Sequence, residues 1–374
     1  MSNDDSGFTA TNLTVLFLCG FATLCLLAIW SGSLHDRHTR VPNCKNNLRQ
    51  YGIAAQNFHS QRSRLPGYVT YFGQWIPGAS NSHPLNPNAD PNTLIAHQKI
   101  GSWTVSLLPY MEQQAVFETW TTNRYPIAFT GGTEQQLTSG KAGRGFNTDA
   151  APNLYYATCP SAHHDSMLQA ANSYVCNAGM YESVRSPHFA RSMSAANGIF
   201  NNKLDAVDVD GDPVPVGPTL TLDDLTDGVS MTLMFTENLQ AMPWHRAGFI
   251  DADDLRINDV DQAILYEPTS RYTQAVVWHP ESSFGTPVKP IHRINSTFPG
   301  TALEDLQMTP TNAADLARPS SLHAGGVNIT LADGAVRFLS ETVDYRVYQS
   351  LLAPDDANSD APLEDWTLDS EPFE

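Results

Sequence analysis

Residues 6–34 carry no charged side chain, and residues 13–30 (LTVLFLCGFATLCLLAIW) are mostly apolar. This run constrains the chain more than any other feature. About 20 apolar residues, each rising about 1.5 Å in a helix, cross a hydrocarbon core of about 30 Å. In lipid the backbone must satisfy its own hydrogen bonds, so such a span is a helix. The run begins close to Met1, and everything beyond His35 reads as water-soluble. The layout is that of one membrane-anchored helix with a large domain on one side.

Three readings of this segment compete. Against a removable secretory signal, the leader is acidic (Asp4, Asp5), the apolar run is long and no small-x-small cleavage site follows cleanly. The second reading is an ordinary N-terminal anchor. The third is a short polar leader that ends in Gly7, with a mature chain that starts at Phe8. Charge bias alone (Asp4 and Asp5 before the span; Arg37, Arg40, Lys45 and Arg49 after it) puts the large domain in the cytoplasm. Long domains translocate largely regardless of such charges, so the expectation is a single-pass protein with its domain extracytoplasmic, periplasmic or on the cell surface.

The 374 residues suffice for one large or two small domains after the anchor. With 41% hydrophobic and 10% aromatic residues, the chain has the means for a packed core. The net charge of −18, with no offsetting basic patch, repels phosphate backbones and excludes nucleic-acid binding. Cys19 and Cys25 lie in the apolar run, which leaves Cys44, Cys159 and Cys176. Outside the cytoplasm these allow one disulfide and one spare thiol, and both Cys44–Cys159 and Cys159–Cys176 remain open.

Beyond the span, Val41-Pro42 predicts a break, followed by a helix over residues 43–63 with Leu48, Tyr51, Ala55 and Phe58 on one apolar stripe. Leu65-Pro66-Gly67 ends it, and residues 67–98 read as a long loop. Residues 103–120 predict a helix broken near Pro109. Short strands are expected at 154–157, 173–178, 198–200, 231–235 and 275–278, with an acidic loop at 205–218 and a capped turn at 221–228. Residues 326–331 and 335–339 alternate around Asp333-Gly334, a hairpin signal that calls for positive φ at both central residues. A short helix over 345–352 precedes an acidic tail. The expected organisation is a leader (1–7), a transmembrane helix (8–34), an amphipathic continuation (35–66), a soluble domain (67–352) and a flexible tail (353–374).

Several of these stretches, in this order, resemble one family. Gly7-Phe8-Thr9 before an apolar helix is similar to the prepilin leader of type IV pilin-like proteins. The run from Asn46-Asn47-Leu48 through His59 to Leu65-Pro66-Gly67 resembles the first soluble block of the domain of unknown function 1559 family, which also carries a bacterial solute-binding label. Further matches are Ser102-Trp103, Leu107 to Gln113, Cys159-Pro160-Ser161, Asn177-Ala178-Gly179, Asp227-Gly228, Glu237-Asn238 and a closing His323, nine residues, then Asp333-Gly334. The resemblance runs over about residues 7–352. It implies a pilin-like or pseudopilin-like α+β fold, in which the long N-terminal helix packs on a mainly antiparallel sheet. Ser6 and Asn12 depart from the basic residue and the Glu usual in such leaders, and Asn12 removes the buried charge that would pair with a neighbouring chain's amine.

Each candidate site has a plain structural counterpart. His323 and Asp333 look like a pair, but a hairpin holds them a strand apart, which favours structural use. Cys159, His163, His164 and Asp165 are metal-ligand types without a second cluster. Asp208, Asp210 and Asp212 alternate as calcium ligands do, yet Pro213 and Thr219 stand where the twelve-residue loop needs Gly and Glu. Trp75, Trp103, Trp244 and Trp278 suit either sugar stacking or a core. With no P-loop, HExxH or GxSxG pattern, an enzyme is not expected. Two classes remain. One is a membrane-anchored structural or secretion-associated protein that assembles with itself or with pilus-like machinery; the other is an anchored module that binds a carbohydrate or another solute.

Overall fold

The structure, a computed structural model, describes residues 40–76, 96–128, 146–162, 170–251, 254–258, 262–280 and 288–361. The leader, with Gly7 and Phe8, the apolar run, His163-His164-Asp165 and the tail from residue 362 lie outside the described residues. Among the described residues, no helix is long and apolar enough to cross a membrane.

Helix α1 covers residues 40–62 of the described chain. It is helical from Arg40, the first described residue, so Val41-Pro42 lies in its first described turn, where proline's fixed φ is a helical value; the junction with the apolar run lies outside the described residues. Cys44, Leu48, Tyr51, Ala55 and Phe58 are buried along one stripe, as the spacing predicts. The chain continues through β1 (Val69–Trp75), β2 (His97–Ser102), α2 (Trp103–Leu107), a 3-10 turn (Leu108–Met111) and α3 (Gln114–Thr121). Then come β3 (Tyr174–Met180), α4 (Phe189–Ser192), β4 (Asn202–Lys203), β5 (Ala206–Val207), β6 (Pro213–Val214) and β7 (Leu233–Glu237). The last part holds α5 (Ser270–Thr273), β8 (Ala275–Trp278), α6 (Ala313–Leu316), β9 (Gly326–Leu331), β10 (Val336–Ser340) and α7 (Tyr345–Leu352).

The fold is mixed, and its pairings are mainly antiparallel. The central sheet has the order β10-β9-β7-β3-β8, with only β3 and β8 parallel. Alternate residues feed two cores. Val175, Val276, Val327, Ile329 and Leu331 pack with Leu351 and Leu352 of α7. Tyr174, Cys176, Phe235, Ala275 and Val277 join the stripe of α1. Helix α1 is fastened to its face at several levels. Thr330 Oγ1 donates to Leu48 O (3.2 Å), Gln56 Nε2 donates to Ala332 O (3.2 Å), and the rings of Tyr51 and Phe235 are 5.9 Å apart. Gly52 permits this approach, since a Cβ there would fall 2.8 Å from Thr330 Cγ2. A second sheet, β2-β1-β4, flanks α3, and β5 pairs with β6.

Several expectations need correction. The predicted loop over 67–98 contains β1 and the start of β2, because the β-forming VTYFGQW segment was masked by its Gly-, Pro- and Asn-rich surroundings. Residues 154–157 form a 3-10 turn, not a strand; Ala157 N donates back to Leu154 O, and Tyr155 is 79% exposed. Residues 198–200 are a bend, because Gly198 presses on Gly179, where a Cβ would meet backbone at 2.3 Å. The helix after Trp103 does break near Pro109: the α-helix ends at Leu107, Pro109 sits in the first turn of the 3-10 segment, and left-handed Glu112 (φ 60°) closes it before α3. The Asp333-Gly334 hairpin forms, but only Gly334 has positive φ (+82°). Leu331 bonds across to Ala335, which makes the loop one of three residues.

Candidate functional site

Four side chains distant in sequence converge where the start of α1 meets the central sheet. Cys44 lies on the buried stripe of α1, Cys159 follows the Tyr155–Ala157 turn, Glu237 ends β7 and His323 precedes β9; all are buried. Cys44 and Cys159 form a disulfide, and Cys176 is a free, buried thiol pushed upward in pKa by its burial. His323 Nε2 lies 2.9 Å from Glu237 Oε1 and 3.6 Å from Cys159 Sγ. Asn328 saturates the carboxylate: its N donates to Oε2 (2.8 Å), and its Nδ2 sits 3.2 Å and 3.1 Å from Oε1 and Oε2.

The surrounding shell binds the same segments again. Asn47 Nδ2 donates to Thr158 O (3.0 Å) and to Tyr174 Oη (3.2 Å), and the Tyr174 hydroxyl donates to Cys44 O (3.4 Å). Burial, with the negative Glu237 close by, holds the Tyr174 phenol well above its usual pKa. It therefore stays a neutral donor. A buried charge must be paired and hydrogen-bonded to be tolerated, and Glu237 is both.

Cys44, Cys159, Glu237 and His323 offer ligand atoms within 4.8 Å of one another, a donor set of the types that zinc takes. In the disulfide each sulfur is spent on the other, so only His and Glu remain as donors. Burial on every side suits this cluster to locking α1, β7, the Cys159 segment and β9 together.

The other candidates are placed as follows. His323 is not brought to Asp333: it pairs with Glu237, while Asp333 Oδ1 accepts from Ala335 N (2.8 Å) in the Gly334 turn at the far end of β9. Sequence reasoning matched Glu237 and Asn47 only as motif letters. The signal for Glu237 was a carboxylate ending an apolar strand buried on both faces, where charge is rare. Asp208, Asp210 and Asp212 form the tip between β5 and β6. Asp208 Oδ1 accepts from Asp210 N (2.9 Å) and Asp212 N (3.0 Å), Gly211 takes φ +88°, and Asp210 pairs with Arg185 at 3.5 Å. These bonds give Asp208 a turn-forming role. Trp75, Trp103, Trp244 and Trp278 are all buried, which removes them as sugar platforms.

At the other end of α1 a cavity of about 260 Å³ opens between Phe58, the Arg64–Gly67 turn, β1, the Leu108–Met111 turn, α3 and Lys203. The Leu65-Pro66-Gly67 and Pro109-Tyr110 motif residues meet on its wall.

Comparison with curated proteins and with solved structures gives no match. A family model described as "Protein of unknown function (DUF1559)", SBP_bac_10, matches residues 38–346. The match takes in α1, the central sheet and all four residues of the buried cluster, so the chain belongs to the DUF1559 family.

Proposed function

We propose that this protein is a membrane-tethered, pilin-like envelope protein with a structural or secretion-associated role, in which α1 continues the apolar N-terminal run as a stem. The observation that carries the reading is the seating of α1. Its buried stripe lies on an antiparallel sheet, its N-terminal end is held by the Cys44–Cys159 disulfide, and the chain before it runs back into residues 6–34 without a charge. A helix welded to the domain in this way transmits load from an anchor to the body. A disulfide also suits an extracytoplasmic domain. No catalytic step is assigned to the buried Glu237–His323 pair, whose hydrogen bonds hold packed segments together.

Fractionation of native cells tests the reading. Full-length protein should stay with membranes through alkaline carbonate, and N-terminal sequencing should find a chain that begins at Phe8 or keeps its apolar run. Release into the carbonate wash with Met1 intact overturns the tether. Cross-linking and electron microscopy of surface material then address assembly: oligomers or filaments support it, and a strictly monomeric protein overturns it. The second reading, an anchored binding module for a carbohydrate or solute, is favoured by the cavity at the C-terminal end of α1.

A further inference from the structure

The walls of that cavity run against the character of the chain. The sequence has 39 acidic and 21 basic residues, yet the cavity is lined by Arg62, Arg64 and Lys203 and by no carboxylate. Among the described residues, neither arginine has an acidic partner within salt-bridge distance. Lys203 is held in place: its Nζ donates to Gly217 O (2.9 Å) and Pro218 O. Gly67, where a Cβ would fall 2.4 Å from Lys203 Cγ, lets its stem lie against the turn. Burial, and then the like charge of Arg64, draw the Lys203 ammonium down to about 8, the behaviour of a cation with no anion beside it.

The rest of the wall is aromatic. Tyr71, Phe72, Tyr110 and Phe117 line it and are each half-buried, and the hydroxyl-bearing Thr70 and Ser106 sit among them. Flat apolar rings beside a cluster of cations suit a ligand with one apolar face and one negative group. The volume is at the small end of ligand pockets and takes about one ring-sized unit.

We propose that this cavity binds an acidic sugar unit, its carboxylate or sulfate between Arg62, Arg64 and Lys203 and its ring against the aromatic wall. The proposal rests on the binding-module reading and names its ligand class. In an otherwise acidic protein such a site attracts anions only at short range, since the net charge opposes them beyond a Debye length of about 8 Å.

Calorimetric titration of the full chain in detergent tests it with three disaccharides: a uronate, a sulfated one and a neutral one. The uronate or the sulfated sugar should bind, and which of them does assigns the anion. The neutral sugar should bind at least about tenfold more weakly. Arg62→Gln with Arg64→Gln should weaken acidic-sugar binding by about tenfold or more. Both side chains are exposed, so the thermal melt without ligand should not move. Affinity that survives the double substitution overturns the site. A neutral sugar that binds as well as the acidic ones overturns the ligand class and leaves the binding-module reading standing. No titration with any of the three up to about 10 mM overturns both.

Discussion

At the scale of single residues, the family signature resolves into a buried bond network rather than a reactive pair. Glu237 and His323 are each other's partners, and removing either leaves the other charged or polar group stranded in the core. Glu237→Leu or His323→Leu should therefore destabilise the fold by about 3–5 kcal/mol, read as a lower urea midpoint at unchanged slope. Equal stability in either variant removes the lock from the account. A second buried pair sets a pH response. The rings of His279 and His292 stack at 3.5 Å; burial, and then repulsion by His292, hold His279 down to about 3, and burial lowers His292 as well. For a histidine depressed in the fold, the unfolded chain binds the proton first. Stability is then complete above about 6.5 and falls as pH drops from there toward about 3, by a few kcal/mol in total. Urea melts at pH 7.5, 5.5 and 4 should show this fall, and His279→Gln should flatten it.

Elements were legible where a local pattern and a tertiary surface agreed. The stripe of α1, strand β8 and helix α7 stand where the spacing put them, because each has one apolar face or run and a core to meet it. Agreement failed where neighbours outvoted composition. Strand β1 is bordered by turn residues but finds β2 and β4 on its two sides. The segment at 198–200 has strand-like residues but is stopped by the Gly179 backbone. Close approach also makes Gly52 the sensitive point of the α1–sheet contact. Gly52→Val puts carbon inside the space of Thr330 and should lose about 1–3 kcal/mol despite leaving the helix without a glycine, measurable in the same urea series. Lys99 plays a comparable part at α3. Its buried Nζ donates to Thr119 O (2.6 Å), Thr122 O (2.7 Å) and Tyr125 O (2.6 Å), which caps carbonyls that the helix end leaves open.

For the molecule as a whole, the Cys44–Cys159 bond closes a loop of 115 residues between the stem helix and the middle of the chain. Cys44→Ser with Cys159→Ser should lower stability by about 2–5 kcal/mol, and a reducing agent should reproduce the shift in the unmutated protein. If neither treatment moves the unfolding curve, the bond is not what holds α1 to the body. The sequence alone determined the apolar run at the N-terminus, the amphipathic stripe after it, the hairpin around Asp333-Gly334, the acidic charge and the family, because each is written in residues next to or a few turns from one another. Only the tertiary structure decided that Cys44 takes Cys159, that His323 answers to Glu237 and not Asp333, and that Arg62, Arg64 and Lys203 face one cavity. Those partners are between 86 and 141 residues apart, and which of them meet depends on how strands register and helices seat, a choice made by packing that no local spacing records.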